Sequence, residues 1–531
     1  MLNRYVLSPW FAMIPMKLFD QRALLSLIGE FRTSMRILLA DICEDLNHYP
    51  ALIRRLRLPV GLFRLIGGVL EREDYSNWKV VGWIETLNEL LYFVDLHHQL
   101  TTERDQVEFA EQVYAECQEK FYENSYADEL FPDGMVGHRD LSGRLLHLCR
   151  RLSRDIVQQA ILFYPGLACD WISNTGVRRW SVVCDLSPNF DRAELPWYLP
   201  VGLDGTCYCA PLRIRKVLSS AGNKARMIVS PRGFVLTALG HSYPVYARGS
   251  EERWYWKQHA PTVIRRSPLG TLTLGPTLEY GRQRTPQRVR PTSSAVAKRI
   301  QQALSVVKEA WSEGDQLLTT LTSRIIPLRA KGVVSFSYRH QPGLSFINCF
   351  DRDDLDLIDD LIHENGHHHL NLLLRKYVLY RDDRNQEIFY SPWRRRLRPL
   401  RGILHATFTF TMGALLFERL STWGSRPIGS RAGTQSRLSM QNLRRARFRC
   451  TEELESVRYA LQDLHRADRQ LGWIPQSGKD LIGQLSRTLS AVTRRIDRHT
   501  PSVHRSRYGA VLRRHQQELR RARRQYGSLR L

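Results

Sequence analysis

Residues 361–370 read LIHENGHHHL, and five of the seven side chains from 363 to 369 can bind a metal. His363, Glu364 and His367 form an H-E-x-x-H pattern. On a helix, positions i and i+4 share a face, so the two histidines can hold one ion together. Glu364 sits one residue round, where a peptidase carboxylate activates metal-bound water, which makes it the candidate catalytic side chain. His368 and His369 point to other faces and are expected to pack or to sit behind the ligands. Leu355, Ile358, Leu361 and Ile362 before the motif, and Leu370, Leu372, Leu373 and Leu374 after it, predict a largely buried helix. Buried imidazoles need partners. A metal is one such partner, and a set of satisfied core histidines without metal is the other. Gly366 costs about 1 kcal/mol in a helix interior, which implies a close approach to the helix there.

A metal site needs a third ligand. A peptidase of this type takes a downstream glutamate from a neighbouring helix, and Glu387 and Glu418 are the options. Glu387 lies in RDDRNQEIFYSPW, which reads as loop. The compact extension with a third histidine is excluded, because Leu370 stands where it needs glycine and Leu373 where it needs histidine. His405 is the alternative, near the start of the apolar stretch LRGILHATFTFTMGALLFERL, which predicts one helix or a helix pair. Arg394, Arg395, Arg396, Arg398 and Arg401 precede it. Arginine suits bidentate binding of a carboxylate, although surface charge accounts for part of such a run.

The stretch YSPWRRRLRPLRGILHATFTFTMGALLFERL (390–420), following H-E-x-x-H, resembles one family in particular. It is similar to the HExxH-type peptide-modifying enzymes of bacterial ribosomal-peptide natural product pathways. The resembling positions are His363, Glu364, His367, Leu370, Pro392-Trp393-Arg394, Arg398-Pro399, Gly402 and His405; TSRIIPL and the SFSY and PGLSFIN runs before the motif are also similar. The specific resemblance covers about residues 295–420. Ala406 follows His405 where a glycine is usual, and Arg401 adds a charge beside Gly402. The resemblance implies an iron(II)- and 2-oxoglutarate-dependent dioxygenase, a peptide β-hydroxylase. His363, His367 and His405 would then hold Fe(II) on one face, leaving room for 2-oxoglutarate and O2. Arg398 first, and Arg394 second, would bind the far carboxylate of 2-oxoglutarate. Glu364 would orient substrate or ligands rather than serve as a hydrolytic base. Two other readings stand beside this one: a zinc peptidase with a downstream glutamate ligand, and a basic binding or scaffold protein whose metal site is structural or lost.

The elements that must position these residues follow from pattern. Residues 1–165 carry apolar residues at helical spacing. Residues 166–294 are a β-rich region, with short alternating runs separated by turns, and RQRTPQRVRPTSS (282–294) reads as a linker or exposed loop. Residues 295–425 form the HExxH region: one helix broken near Gly314 or two helices, two strands joined at Pro342-Gly343, then the motif helix, opening near Asp351 to Asp354. Residues 426–531 form a basic helical C-terminal region preceded by GSRPIGSRAGTQS. The expected class is therefore α+β: a mainly helical metal-binding domain with a β-rich middle and a basic helical tail.

A chain of 531 residues suggests two or three domains, and 43% hydrophobic with 25% charged residues is the profile of a globular protein. No run approaches the roughly 20 apolar residues of a membrane span, and the N-terminus lacks a secretory signal. Of nine cysteines only Cys207 and Cys209 lie close together, so reduced thiols in a cytoplasmic protein are expected; His97 and His98 are expected at the exposed end of a helix. The net charge is +25, and residues 431–531 hold 23 Lys and Arg against 8 Asp and Glu, a net of +15. Such a surface attracts nucleic acid, acidic lipid or acidic peptide, unless it is only a solvated helical face. The expected partner is an acidic precursor peptide, ahead of nucleic acid.

Overall fold

The computed structural model describes residues 18–102, most of 106–172, the strands between 180 and 290, and residues 291–381, 386–425 and 438–527; side chains between 173 and 261 lie outside the description. The architecture is α+β and mostly helical. The N-terminal helices are α1 (Gln21–Asp45), α2 (Pro50–Leu56), α3 (Val60–Val69), α4 (Trp78–Thr102), α5 (Gln106–Lys120), α6 (Tyr126–Leu130) and α7 (Leu141–Phe163). His97 and His98 lie near the C-terminal end of α4 as expected, His98 exposed and His97 half-buried. His97 faces Ser142 Oγ at 3.4 Å and His98 packs edge-on to Tyr49, and neither belongs to a metal-competent cluster among the described residues.

The middle of the chain is β-rich as expected. Strands β1 (Trp180–Asp185), β4 (Lys224–Ser230), β5 (Gly233–Ala238) and β6 (His241–Ala247) pair antiparallel in that order. Strands β2 (Trp197–Val201), β3 (Gly205–Cys209) and β7 (Gln258–His259) form a second antiparallel sheet. Cys207 and Cys209 fall on β3, with side chains outside the described residues. The cysteines that are described, Cys43, Cys117, Cys149, Cys349 and Cys450, are free thiols.

The mixed sheet under the site contains β8 (Thr262–Ser267), β9 (Gly270–Leu274), β10 (Thr277–Tyr280), β11 (Pro286–Arg290), β12 (Arg324–Arg329), β13 (Phe336–Ser337) and β14 (Leu344–Asn348). Its main path runs β11-β10-β12-β14-β13, with β12 parallel to both β10 and β14. The expected linker at 282–294 is corrected in part. Residues 286–290 form edge strand β11 against β10, and Pro286 sits at its first position, where a missing N–H costs no ladder bond. Residues 282–285 lie outside the description, as does nearly all of the expected loop at 424–436.

Helices α8 (Ser294–Ala310) and α9 (Ser312–Leu321) break at Trp311, not at Gly314. Gly314 is helical because the Trp311 ring fills the space its Cβ would need. The motif helix α10 spans Asp354–Lys376, and Asp353 caps it by accepting from Leu355 N at 2.9 Å and Asp356 N at 3.0 Å. A short hairpin, β15 (Phe389–Ser391) and β16 (Arg396–Arg398), leads into α11 (Leu400–Gly424), one continuous helix opened by Pro399. Helix α11 is long and apolar enough to cross a membrane, which the residue count along the chain did not suggest. Its apolar window is 72% buried inside the protein, so it serves here as a core helix. The tail forms α12 (Met440–Arg466), α13 (Gln476–Ile496), α14 (Thr500–Arg505) and α15 (Gly509–Tyr526). Among the described residues one apolar core runs from Leu18 through Leu272 and Leu370 to Ile496, and the last helices pack in two smaller clusters around Leu512 and Leu519.

The two letters inside the motif have structural reasons. The Asn365 amide is fully buried and donates to Thr322 Oγ1 at 3.0 Å and to the Leu317 and Leu318 carbonyls, closing the end of α9. At Gly366 a Cβ would meet Met412 Sδ at 3.1 Å and Thr409 Cγ2 at 3.2 Å, so α10 and α11 touch there almost backbone to backbone. In Gly366→Ala, about 1 kcal/mol of added helix propensity opposes a slight overpacking, and the melting temperature should hardly move. Gly366→Val should lose about 1–3 kcal/mol by thermal or urea unfolding. Equal tolerance of both would show that the contact is loose.

Candidate metal centre

Helix α10 is buried nearly all round, and His363 and His367 are its half-buried exceptions along the motif. Their i, i+4 spacing turns both toward the cleft against α11, with ring centroids 4.9 Å apart. His363, Glu364 and His367 offer ligand atoms that all lie within 4.8 Å of one another. Helix α11 runs antiparallel across them: Gly413 lies by Asp359, Phe410 by His363 and His405 by His367. His405 Nδ1 is 3.5 Å from His367 Nδ1, and His405 Nε2 is buried with no hydrogen-bond partner.

That spacing suits a shared ion. Two nitrogens each about 2.1 Å from one metal, at a tetrahedral angle, lie about 3.4 Å apart. Burial holds the histidines in the ligand state. Desolvation depresses His363 and His405 to about 4, with Arg394 adding to the effect at His363 and Arg339 and Arg401 at His405. His367 is also pushed down, by burial first and then by its imidazole neighbours. Neutral rings facing each other nitrogen to nitrogen make at most one poor hydrogen bond, and a cation between them satisfies both. The residues therefore fit a metal.

Glu364 differs in character. Its carboxyl is buried and accepts from Ser337 Oγ on β13 at 2.7 Å. Burial raises it to about 8, against the help of that hydrogen bond. His368 and His369 take other directions, as expected. His368 lies between Ser345 Oγ at 3.0 Å and the Gly343 N–H at 3.3 Å, in the turn where Gly343 adopts φ +88°. His369 packs edge-on to Phe19 and Phe408.

The glutamates proposed for a peptidase lie elsewhere. Glu418 is 13 residues past His405 on one helix, about 20 Å along its axis. It is buried against Arg495 at 3.1 Å. Glu387 is exposed before β15. Neither belongs to the converging set of His363, Glu364 and His367 among the described residues; His405 also stands outside that set and meets it through His367.

The five arginines separate. Arg394 is exposed in the hairpin turn and acts on both His363 and His367. Arg395 takes φ +52° and pairs with Glu518 of α15 at 3.5 Å. Arg398 is half-buried beside Gly402, where a Cβ would come within 3.2 Å of its Nε. Neither Arg394 nor Arg398 has a carboxylate at ion-pair distance among the described residues. Trp393 turns inward and stacks on Phe410 at 4.4 Å and 7°, and its indole N–H donates to buried Glu453 at 2.8 Å. Phe410 in turn packs edge-on to His363 at 4.8 Å. Ser337, Arg339, Phe410 and Glu453 were not singled out from sequence. They reach the site from a two-residue strand, a loop and neighbouring helices, and only the spacing of Ser335 and Ser337 opposite Asp360 and Glu364 carried a trace of it.

The ligand set can be read from pH. Imidazoles held near 4 stay neutral above that value, so binding through three histidines releases no proton at neutral pH. Glu364 must lose a proton to ligate. Cobalt(II) titrations should give a nearly constant affinity from about pH 6 to pH 8 and a loss well beyond about tenfold in His405→Ala. An affinity that climbs with pH up to about 8 and ignores His405 would identify Glu364 as the third ligand instead. No family model matches the chain, and no curated protein matches it.

Proposed function

We propose that the chain is an iron(II)- and 2-oxoglutarate-dependent oxygenase that hydroxylates the β-carbon of a side chain in a ribosomally made peptide. The observation that carries this reading is His405 facing His367 across two antiparallel helices. It offers a third imidazole where a peptidase would need a carboxylate. Iron(II), with 2-oxoglutarate and O2 as cosubstrates, would supply the chemistry that converts C–H to C–OH, one oxygen atom of O2 entering the alcohol and the other the succinate formed with CO2.

The chain's own residues bind and orient. His363, His367 and His405 hold the metal. The cosubstrate's far carboxylate needs a cation, and Arg394 and Arg398 are placed on the hairpin that opens α11. Arg394 has the stronger claim on electrostatic proximity to His363, and Arg398 on its partial burial. Trp393 and Phe410 form an aromatic wall against the His363 ring, which limits its rotation and keeps water from that side. The Glu364 carboxyl is buried and anchored by Ser337 Oγ at 2.7 Å. This favours a hydrogen-bonding role toward substrate or ligand. A zinc peptidase is the second reading, favoured by the closeness of Glu364 to both motif histidines.

One experiment separates them. Anaerobically purified protein, given iron(II), 2-oxoglutarate and O2, should form succinate. The activity should survive Glu387→Ala and Glu418→Ala and vanish in His405→Ala. Zinc-dependent peptide cleavage without succinate, abolished by Glu364→Gln, would replace the oxygenase with the peptidase.

A further inference from the structure

We propose that helix α15 is a docking element for an acidic segment of the peptide substrate, joined by an arginine track to the mouth of the metal centre. The inference rests on the reading of the chain as a peptide-modifying enzyme.

Helix α15 is fixed to the protein by one face. Gly509, Leu512, His515, Leu519 and Ala522 are buried at helical spacing. His515 meets Ser456 Oγ at 2.9 Å, and the Arg523 guanidinium lies 3.7 Å over the Tyr459 ring while pairing with Asp463. Tyr526 stacks parallel to Tyr390 of the hairpin at 5.7 Å. The helix is thus a rigid mount, and side chains on it lose little further freedom on binding.

Its outward faces carry Arg513, Arg514, Arg520, Arg521 and Arg524, all exposed. None has a carboxylate at ion-pair distance among the described residues. The sequence from 500 to 527 holds a single acid, Glu518, and that acid is engaged by Arg395 of the hairpin. Arg514 and Arg521 lie four residues before and three after Glu518, so they share its face, next to the hairpin turn. Within the turn, Arg395 is adjacent to Arg394, and Arg394 follows Trp393, whose ring stacks on Phe410, which packs against His363. The cations therefore run from α15 over the turn to the histidines.

A merely solvated helical face mixes both signs, because like charges three and four residues apart repel. Here five exposed arginines stand beside one acid, Glu518, which Arg395 already engages, and a polyanion would relieve the crowding. Nucleic acid recognition adds stacking platforms between the cations, and no exposed aromatic side chain lies among these arginines. A membrane-lying helix needs an apolar outer face, and Val511 is the one large apolar side chain exposed on α15. An extended acidic peptide matches the charge and leads to the metal centre.

The test uses the full chain and fluorescence anisotropy at physiological salt. The probes are a labelled peptide of alternating Asp and Gly, its Asn counterpart and a single-stranded RNA. The Asp peptide should bind and the Asn peptide should not. Arg514→Glu/Arg521→Glu should weaken the Asp peptide about tenfold or more. Arg54→Glu/Arg55→Glu on α2 makes the same charge change at exposed sites elsewhere and should have little effect. Equal losses in the two double variants, no binding of the Asp peptide, or tighter RNA binding with the same dependence on Arg514 and Arg521 would each overturn the proposal. Metal stoichiometry and succinate formation on the same samples report separately on the oxygenase reading. Metal stoichiometry should be unchanged in Arg514→Glu/Arg521→Glu, and a loss of bound metal there would make α15 a structural support rather than a docking element.

Discussion

The approach of α10 to α11 at Gly366 sets every other distance in the centre. With no side chain between them, Thr409 and Met412 rest on the helix backbone itself. That contact fixes the antiparallel register that sets His405 beside His367 and Phe410 beside His363. A wider spacing would leave two histidines on one helix and a third facing apolar side chains. The helices are held on their other sides by charge. Arg445 of α12 pairs with Asp353 and Asp356, and Arg449 with Asp359 and Glu453. Asp353, Asp356 and Asp359 recur every third residue from the cap of α10, so the two arginines, one turn apart, meet them in register, and Glu453 is the neighbour of Arg449 one turn on along α12.

The same burial that orders the site sets its protonation. Four histidines within seven residues would repel one another if charged. Desolvation removes that possibility, holding His368 near 3 and His363 and His369 near 4. Acids respond in the opposite sense: Glu364 rises to about 8 and Glu453 to about 7. The centre is therefore lined by neutral rings, and the charges that act on its histidines are those of Arg394, Arg449, Arg339 and Arg401. An anionic cosubstrate or substrate group entering such a site meets cations.

Much of this was legible in the sequence because it is local. The cap at Asp353, the period of the leucines around the motif, the turn at Gly343 and the single-facedness of His363 and His367 all depend on neighbours within a few residues. The glycine cost at Gly366 pointed to a close approach, but not to Thr409 and Met412 as what approaches. The break at Trp311 was displaced because Gly314, the obvious breaker, is used to seat a tryptophan ring. Strand β11 hid behind a proline- and arginine-rich composition that also describes loops, since an edge strand needs only half its backbone paired. Ser337 left only a trace in the spacing of Ser335 and Ser337, because a two-residue strand has no longer period to read.

The basic tail changes meaning once its pairings are counted. Its composition suggests a uniform cationic surface, yet Arg445, Arg449, Arg466 and Arg523 are spent on Asp353, Asp356, Asp359, Glu453 and Asp463 inside the protein. These arginines are structural, and they mount α12 and α15 on the motif helix and on each other. Other tail acids pair locally, Glu455 with Arg458 and Asp468 with Lys479. The exposed arginines of α15 are left without counter-charges among the described residues, as are Arg444 on α12 and Arg487 and Arg494 on α13. Helix α15 touches the hairpin whose turn carries Arg394. A tail that served only solubility would gain nothing from placing its unpaired cations beside the entrance to a metal centre.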